Sequence, residues 1–226
     1  MDEAMRHTPG AARHAVILCH PDPDSFNHAV AQAYCDAVRE CGQEAVLRDL
    51  YAMRFDPVLR AEERPTVPGF QPSPDVIEER AILADSDVFV LIYPIWFGTP
   101  PAMLKGYVER VLGAGVDPKS IQLRQRQSLL SGKRLVSFST SAATGAWLNE
   151  QGEFLSLRYV FDRYLAHAFS MRSDEHVHFA PIVPGMRKRF IDEHLFTVGE
   201  NARRLCGALL VEHRPGHRPE SALAGA

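Results

Sequence analysis

The sequence predicts an α/β fold: an open, parallel five-stranded sheet with helices on both faces. Three observations lead there. Short apolar runs alternate with segments of helical spacing along the chain, the order expected when crossover helices connect parallel strands. The run DVFVLIYP, residues 87–94, is almost continuously apolar, as a strand is when helices cover both sheet faces. The 226 residues, 46% hydrophobic and 23% charged, suffice for one substantial core, and no tandem repeat or low-complexity block interrupts the order. A single domain over residues 14–210 is expected, with flexible tails at 1–13 and 214–226.

Each element has its own signal. HAVILCH (14–20) is the first strand. SFNHAVAQAYCDAVREC (25–41) places Phe26, Val30, Ala33, Tyr34 and Val38 on one helical face, and Gly42 closes that helix before the second strand, EAVLRDL. Residues 56–74 hold five prolines and no period, so they read as a long loop. Asp75 is expected to cap a helix reaching Ala84, ahead of the third strand. TPPAMLKGYVERVL reads as a helix capped by Thr99, with Pro100 and Pro101 in the first turn, where a missing N–H costs least. Its apolar face is Met103, Leu104, Tyr107, Val108 and Val111. KRLVSFST (133–140) is the fourth strand, 152–169 an amphipathic helix, HVHFAPIV (176–183) the last strand and 186–209 a closing helix.

Composition narrows the functional classes. A formal charge of −3 offers no attraction to nucleic acid or to an anionic membrane. No apolar run is long enough to span a bilayer and the first residues lack a secretory pattern, so no membrane insertion and a cytoplasmic location are expected. Cys19, Cys35, Cys41 and Cys206 form neither a C-x-x-C pair nor a metal-ligand spacing and read as reduced, buried thiols.

In an open parallel sheet, ligands sit beyond the carboxyl ends of the strands. The first such loop is HPDPDSFNHA, where Ser25 and Asn27 offer donors beside the free N–H groups opening the next helix. It reads as a phosphate cradle or as an ordinary capped loop, and Asp22 and Asp24 would repel an anion if they pointed inward. The second, YPIWFGTPP, brings Trp96 and Phe97 to the rim, either as a flat wall for a planar ligand or packed beneath a loop or partner subunit. The third, STSAATG, supplies the hydroxyls of Thr140, Ser141 and Thr144, or is a solvent-exposed turn. Gathered at one rim, the three loops suit a long planar cofactor with a phosphate tail, a description that flavin fits better than a metal or a free nicotinamide. Lys105 reads as an exposed helix side chain.

The motifs HPDPDSFNHA, DLYAMRFDPV and YPIWFGTPPAMLKGYVERVL together resemble the flavodoxin-like NAD(P)H:quinone oxidoreductases, over residues 14–155 most closely. The resemblance implies a flavodoxin-like fold in which His20, Ser25, Phe26 and Asn27 hold the flavin phosphate. It implies that Pro94, Ile95, Trp96, Phe97 and Gly98 lie along the ring, and that Thr140, Ser141, Ala142, Thr144 and Gly145 meet its pyrimidine edge. It also implies NAD(P)H as electron donor, a quinone or similar small oxidant and a homodimer. FMN is favoured over FAD because no adenosine pocket is assigned. Leu148 and Phe154 stand where the mammalian branch carries a tyrosine and a histidine, which puts quinone specificity and the proton route in question. A non-catalytic flavin electron-transfer or regulatory subunit is the alternative.

No catalytic residue is assigned. In flavin reductases the cofactor carries the hard chemistry and the protein positions it. His176 and His178 share a strand face and, with Asp174 or Glu175, make half of a metal set without a third ligand, so no metal is expected. Ser139 and Ser141 lack the G-x-S-x-G elbow of a hydrolase.

Overall fold

Alternation decides where each strand residue goes, because successive side chains leave a strand on opposite faces. The computed structural model describes residues 11–123, 128–150 and 152–212. Its strands β1 (Arg13–Leu18), β2 (Glu44–Asp49), β3 (Val88–Pro94), β4 (Arg134–Thr140) and β5 (Ser173–Phe179) form one parallel sheet ordered β2-β1-β3-β4-β5. Val16, Leu18, Val90 and Ile92 meet α1 (Phe26–Glu40) and the C-terminal helix, Lys188–Glu212. Ile17, Phe89, Leu91 and Tyr93 face the other way, onto α2 (Pro74–Leu83), α3 (Ala102–Tyr107) and the helical rod built from residues 153–168. All seven residues of β3 are buried, as its unbroken apolar run requires.

The connections hold α4 (Pro118–Gln122), α5 (Gly145–Glu150), α6 (Glu153–Leu157) and α7 (Tyr164–Ala168), and the C-terminal helix, α8, follows β5. π-helical turns occupy Val108–Leu112 after α3 and Arg158–Arg163 between α6 and α7. Among the described residues no helix is long and apolar enough to cross a membrane. The cysteines are free thiols; burial pushes Cys19 and Cys206 up to about 12 and Cys35 to about 11, so all three are protonated and inert near neutrality.

The proline-rich stretch 56–74 is long but pinned. Arg110 has a fully buried side chain whose guanidinium makes a fork to Glu63, at 2.7 and 3.0 Å, and reaches the Asp56 carbonyl at 2.5 Å and Asp75 at 3.0 Å. Glu63 lies in a single 3-10 turn, Ala61–Glu63, and also accepts from the Arg60 N–H. One cation thus ties both ends and the middle of the loop to the helix after β3. Gly106 lets the loop approach: a Cβ there would lie 2.3 Å from the Pro57 carbonyl oxygen.

Several expected boundaries shift. Arg13, expected in a tail, opens β1, and Ala12 is buried; residues 1–10 and 214–226 of the expected tails lie outside the described residues. Pro74 begins α2 with Ser73 as its cap, not Asp75. Thr99 does not cap α3, which starts at Ala102 with Pro101 as cap; a residue before proline is held extended, so Pro100 keeps the chain out of the helical turn. The loop 139–152 contains α5, and β5 begins at Ser173 and stops at Phe179, before a cis Ala180–Pro181 bond.

Two measurements test the pinned loop. Gly106→Ala should destabilise the protein by roughly 3 kcal/mol, the upper end of ordinary overpacking, in denaturant unfolding; an unchanged midpoint would refute the close approach. Arg110 holds the Glu63 carboxyl at about 2, below its usual 4.5. The unfolded chain therefore binds the proton first, and the ion pair's stabilisation is lost as pH falls from 4.5 through 2. Glu63→Gln should flatten acid unfolding across that window.

Candidate active site

Because β1 lies between β2 and β3, the chain leaves β1 and β3 toward opposite faces, and a crevice opens between their carboxyl ends. A cavity of about 540 Å³ fills it, within the roughly 300–1,000 Å³ range of small-molecule sites. Ser25 caps α1 there, accepting from the His28 N–H at 3.4 Å, so the amides of the first helical turn and the positive end of a 15-residue helix face one end of the cavity. The ring of His28 bridges Ser25 Oγ at 2.9 Å and the Asp49 carboxylate at 3.0 Å, which fixes the serine. Asn27 is buried and donates through Nδ2 to Thr140 Oγ1 at 3.0 Å, joining the first loop to the third. Phe26 packs edge-on against Phe179, closing the floor.

The second loop is a tight hairpin. Trp96 and Thr99 pair across it, and the two residues between them, Phe97 and Gly98, have φ of 51° and 78°, the left-handed pair that a type I′ turn demands. This turn lifts Trp96 onto the cavity rim, where its ring meets His20 at 5.9 Å, and leaves Phe97 wholly exposed. Burial lowers the pKa of His20, favouring the neutral ring. The Ile95 N–H donates to the Thr140 carbonyl at 2.7 Å, so hairpin and third loop move as one body.

The expected residues His20, Ser25, Phe26, Asn27, Pro94, Ile95, Trp96, Thr140, Ser141 and Ala142 all line this cavity. Phe97, Thr144 and Gly145 do not; Gly145 begins α5 and Thr144 precedes it, the Thr144 hydroxyl accepting from the Trp147 N–H. Gly98 lines a second, apolar cavity of about 610 Å³ on the far side of the hairpin, between α3 and α6, with Thr99, Leu157, Val160 and Phe161. Lys105, exposed as expected, borders it and pairs with Glu109.

Sequence reasoning missed one wall. Ile182 to Met186, beyond β5, close the first cavity, held by the Ile182 N–H donating to the Ser141 carbonyl at 2.8 Å. The signal was present: the strand-end rule applied to the fifth strand, and the Pro184–Gly185 turn, point to the same rim.

The cavity fits a ligand with an uncharged planar body and a small anionic end. Helix amides and Ser25 would serve the anion, and no Lys or Arg lines the described wall. Asp22 and Asp24 do line it, so the positive potential there comes from the helix and its amides alone.

His176 and His178 point at serines. Ser137 Oγ donates to Asp162 at 2.5 Å; Asp162 meets His176 Nδ1 at 2.5 Å, and His176 Nε2 meets Ser139 Oγ at 2.6 Å. Ser139 Oγ then meets His178 Nδ1 at 2.8 Å, and His178 Nε2 meets Ser141 Oγ at 3.1 Å. Phe154 covers both rings, with centroids at 5.1 and 5.0 Å. Among the described residues no group of three or more His, Cys, Asp or Glu converges as a metal set.

A parallel sheet of order 2-1-3-4-5 with a cavity at its reversal point defines the doubly wound class that holds phosphate-bearing ligands at strand ends. The chain belongs to the flavodoxin-like fold family, whose sequence profile matches residues 12–199. It is 32% identical to an uncharacterized NAD(P)H oxidoreductase of Haemophilus influenzae over 147 residues, 65% of this chain and 72% of that one. It is also 32% identical to NAD(P)H dehydrogenase [quinone] 1 of Rattus norvegicus over 62% of this chain, a match that spans 57% of the rat protein. Among solved structures, an NAD(P)H:quinone oxidoreductase from Methanothermobacter marburgensis superposes with a TM-score of 0.70 at 22% identity, covering 86% of this chain and 97% of that one. An FMN-dependent NADH-azoreductase from Bacillus anthracis, in complex with FMN, superposes at 0.59 with 15% identity, over 86% and 99% of the two chains.

Proposed function

We propose that this protein is a flavin-dependent NAD(P)H oxidoreductase that reduces a quinone or similar small oxidant, acting in the cytoplasm as a homodimer. The observation that carries this reading is the cavity at the β1/β3 reversal, with the α1 amides at one end and the Trp96 hairpin beside it. The names of the relatives and the FMN bound by a structural neighbour support the same chemistry.

Bound flavin would accept hydride from the nicotinamide and return two electrons to the oxidant. The residues of this chain do the holding. Ser25 and the first-turn amides of α1 take the phosphate, Trp96 and Ile95 flank the ring, and the amides around Ser141 and Ala142 meet its polar edge. FMN suits this cavity better than FAD, since its lining assigns no place to an adenosine. The apolar second cavity lies across the hairpin from the first. Leu155, Tyr159, Val160 and Tyr164 expose an apolar strip beside it, which supports a second copy as its cover.

An anaerobic absorbance spectrum of the FMN-reconstituted protein tests the reading. Addition of NADH or NADPH should bleach the flavin band; a bound band that neither donor bleaches would favour the carrier or regulatory alternative, and failure to bind flavin would refute both. Trp96→Ala should weaken FMN affinity by about tenfold, read from the fluorescence of released cofactor. Unchanged affinity would remove Trp96 from the ring wall.

A further inference from the structure

The hydrogen-bonded row from Asp162 to Ser141 has an inner end sealed from water and an outer end in the cavity wall. Ser137, Ser139 and Asp162 have no exposed surface and the His176 side chain is 1% exposed. Phe154 lies over both rings, and Tyr93 packs edge-on against His176. Ser141 alone of the row lines the cavity. A proton therefore passes between the row and the cavity through Ser141.

The row accepts one extra proton without leaving any polar atom unmatched. A carboxylate only accepts and a hydroxyl has one proton to give, so the arrangements are few. In the loaded arrangement His176 carries protons on both nitrogens, giving one to Asp162 and one to Ser139. Ser139 then donates to His178 Nδ1, His178 Nε2–H donates to Ser141, and Ser141 donates to the Ala143 carbonyl, 2.9 Å away. In the unloaded arrangement every bond between His176 and Ser141 reverses: Ser141 donates to His178 Nε2, His178 Nδ1–H to Ser139, and Ser139 to a neutral His176. His178 is neutral in both and only changes tautomer. Burial, and then the neighbouring His176, pull His178 down to about 4, in keeping with a ring that relays a proton without storing it.

We propose that Asp162, His176, Ser139, His178 and Ser141 form a dead-ended proton relay that delivers one proton to the cavity in each reduction of a quinone-type oxidant. The proposal rests on the reductase reading. NAD(P)H supplies two electrons and one hydrogen as hydride, so converting a quinone to a hydroquinone consumes one further proton. That proton passes from His178 Nε2 through Ser141 to the oxygen of the reduced oxidant. Ser139 refills His178 Nδ1, and His176 refills Ser139. Solvent reloads the row when product leaves. The bonding of Ser139, His176 and Asp162 also matches a hydrolase triad, but a serine with no exposed surface meets no substrate.

The test uses Ser139→Ala, which breaks the row at its centre, and His178→Gln, at a half-buried ring, in case the first variant does not fold. In FMN-loaded, NADH-reduced protein, oxidation by a benzoquinone should slow by roughly 10²-fold in either variant, the scale of general acid catalysis. Oxidation by ferricyanide, which takes electrons and no proton, should be unchanged. Equal slowing with both oxidants, or no slowing with either, would overturn the relay. A second readout needs no cofactor: nitrogen-15 spectra of the histidine rings in the free protein. Where His176 loses its second proton with rising pH, His178 should change from the Nε2–H to the Nδ1–H tautomer in the same step, and Ser139→Ala should uncouple the two. A tautomer in the wild type that ignores His176 would overturn the proposal. If no nicotinamide reduces the wild-type flavin, the reductase reading falls, while the ring spectra still decide whether the row shuttles a proton.

Discussion

All five strands run the same way, and the site depends on that constraint. Parallel strands gather every strand-end loop on one edge, and the reversal between β1 and β3 parts two of them to leave a crevice. The loops are then bonded to one another: Asn27 to Thr140, Ile95 to Thr140 and Ser141 to Ile182. Four segments far apart in the chain become one wall because neighbouring strands end in register.

Charge is used differently on the two sides of the sheet's rim. Away from the cavity, the buried Arg110 and the Arg48–Glu79 pair, to which Tyr107 Oη also donates at 2.6 Å, anchor irregular chain and helices. Such groups are costly to bury, and each has its partners satisfied, so removing one partner harms more than the pair itself stabilises. Within the cavity the described wall has no Lys or Arg, and attraction for an anion is left to backbone amides. An anion bound there would meet fixed amides rather than a flexible cation.

The hairpin explains why two large aromatics sit beside a proline pair. Phe97 and Gly98 must adopt left-handed φ for the turn to close, and Pro100 and Pro101 keep the chain extended until α3 can begin at Ala102. The prolines therefore space the hairpin from the helix, where the sequence pattern had them inside its first turn. Likewise α5 was hidden in STSAATGAWLNEQG, whose small polar residues carry too little periodicity to announce a helix of six residues.

Sequence by itself determined the succession of strands and longer helices, the two covered faces of the sheet and three of the four loops that build the cavity, because apolar period and turn residues are local properties. Tertiary structure decided what those properties cannot reach. Ser139 stands opposite His178 only through the β4–β5 register, and Asp162 reaches His176 only because a π-helical turn packs over that edge. Arg110 finds Glu63 across 47 residues. Side-chain partners at such separations are chosen by packing and register, which depend on the whole sheet at once, so no local pattern in the chain records them.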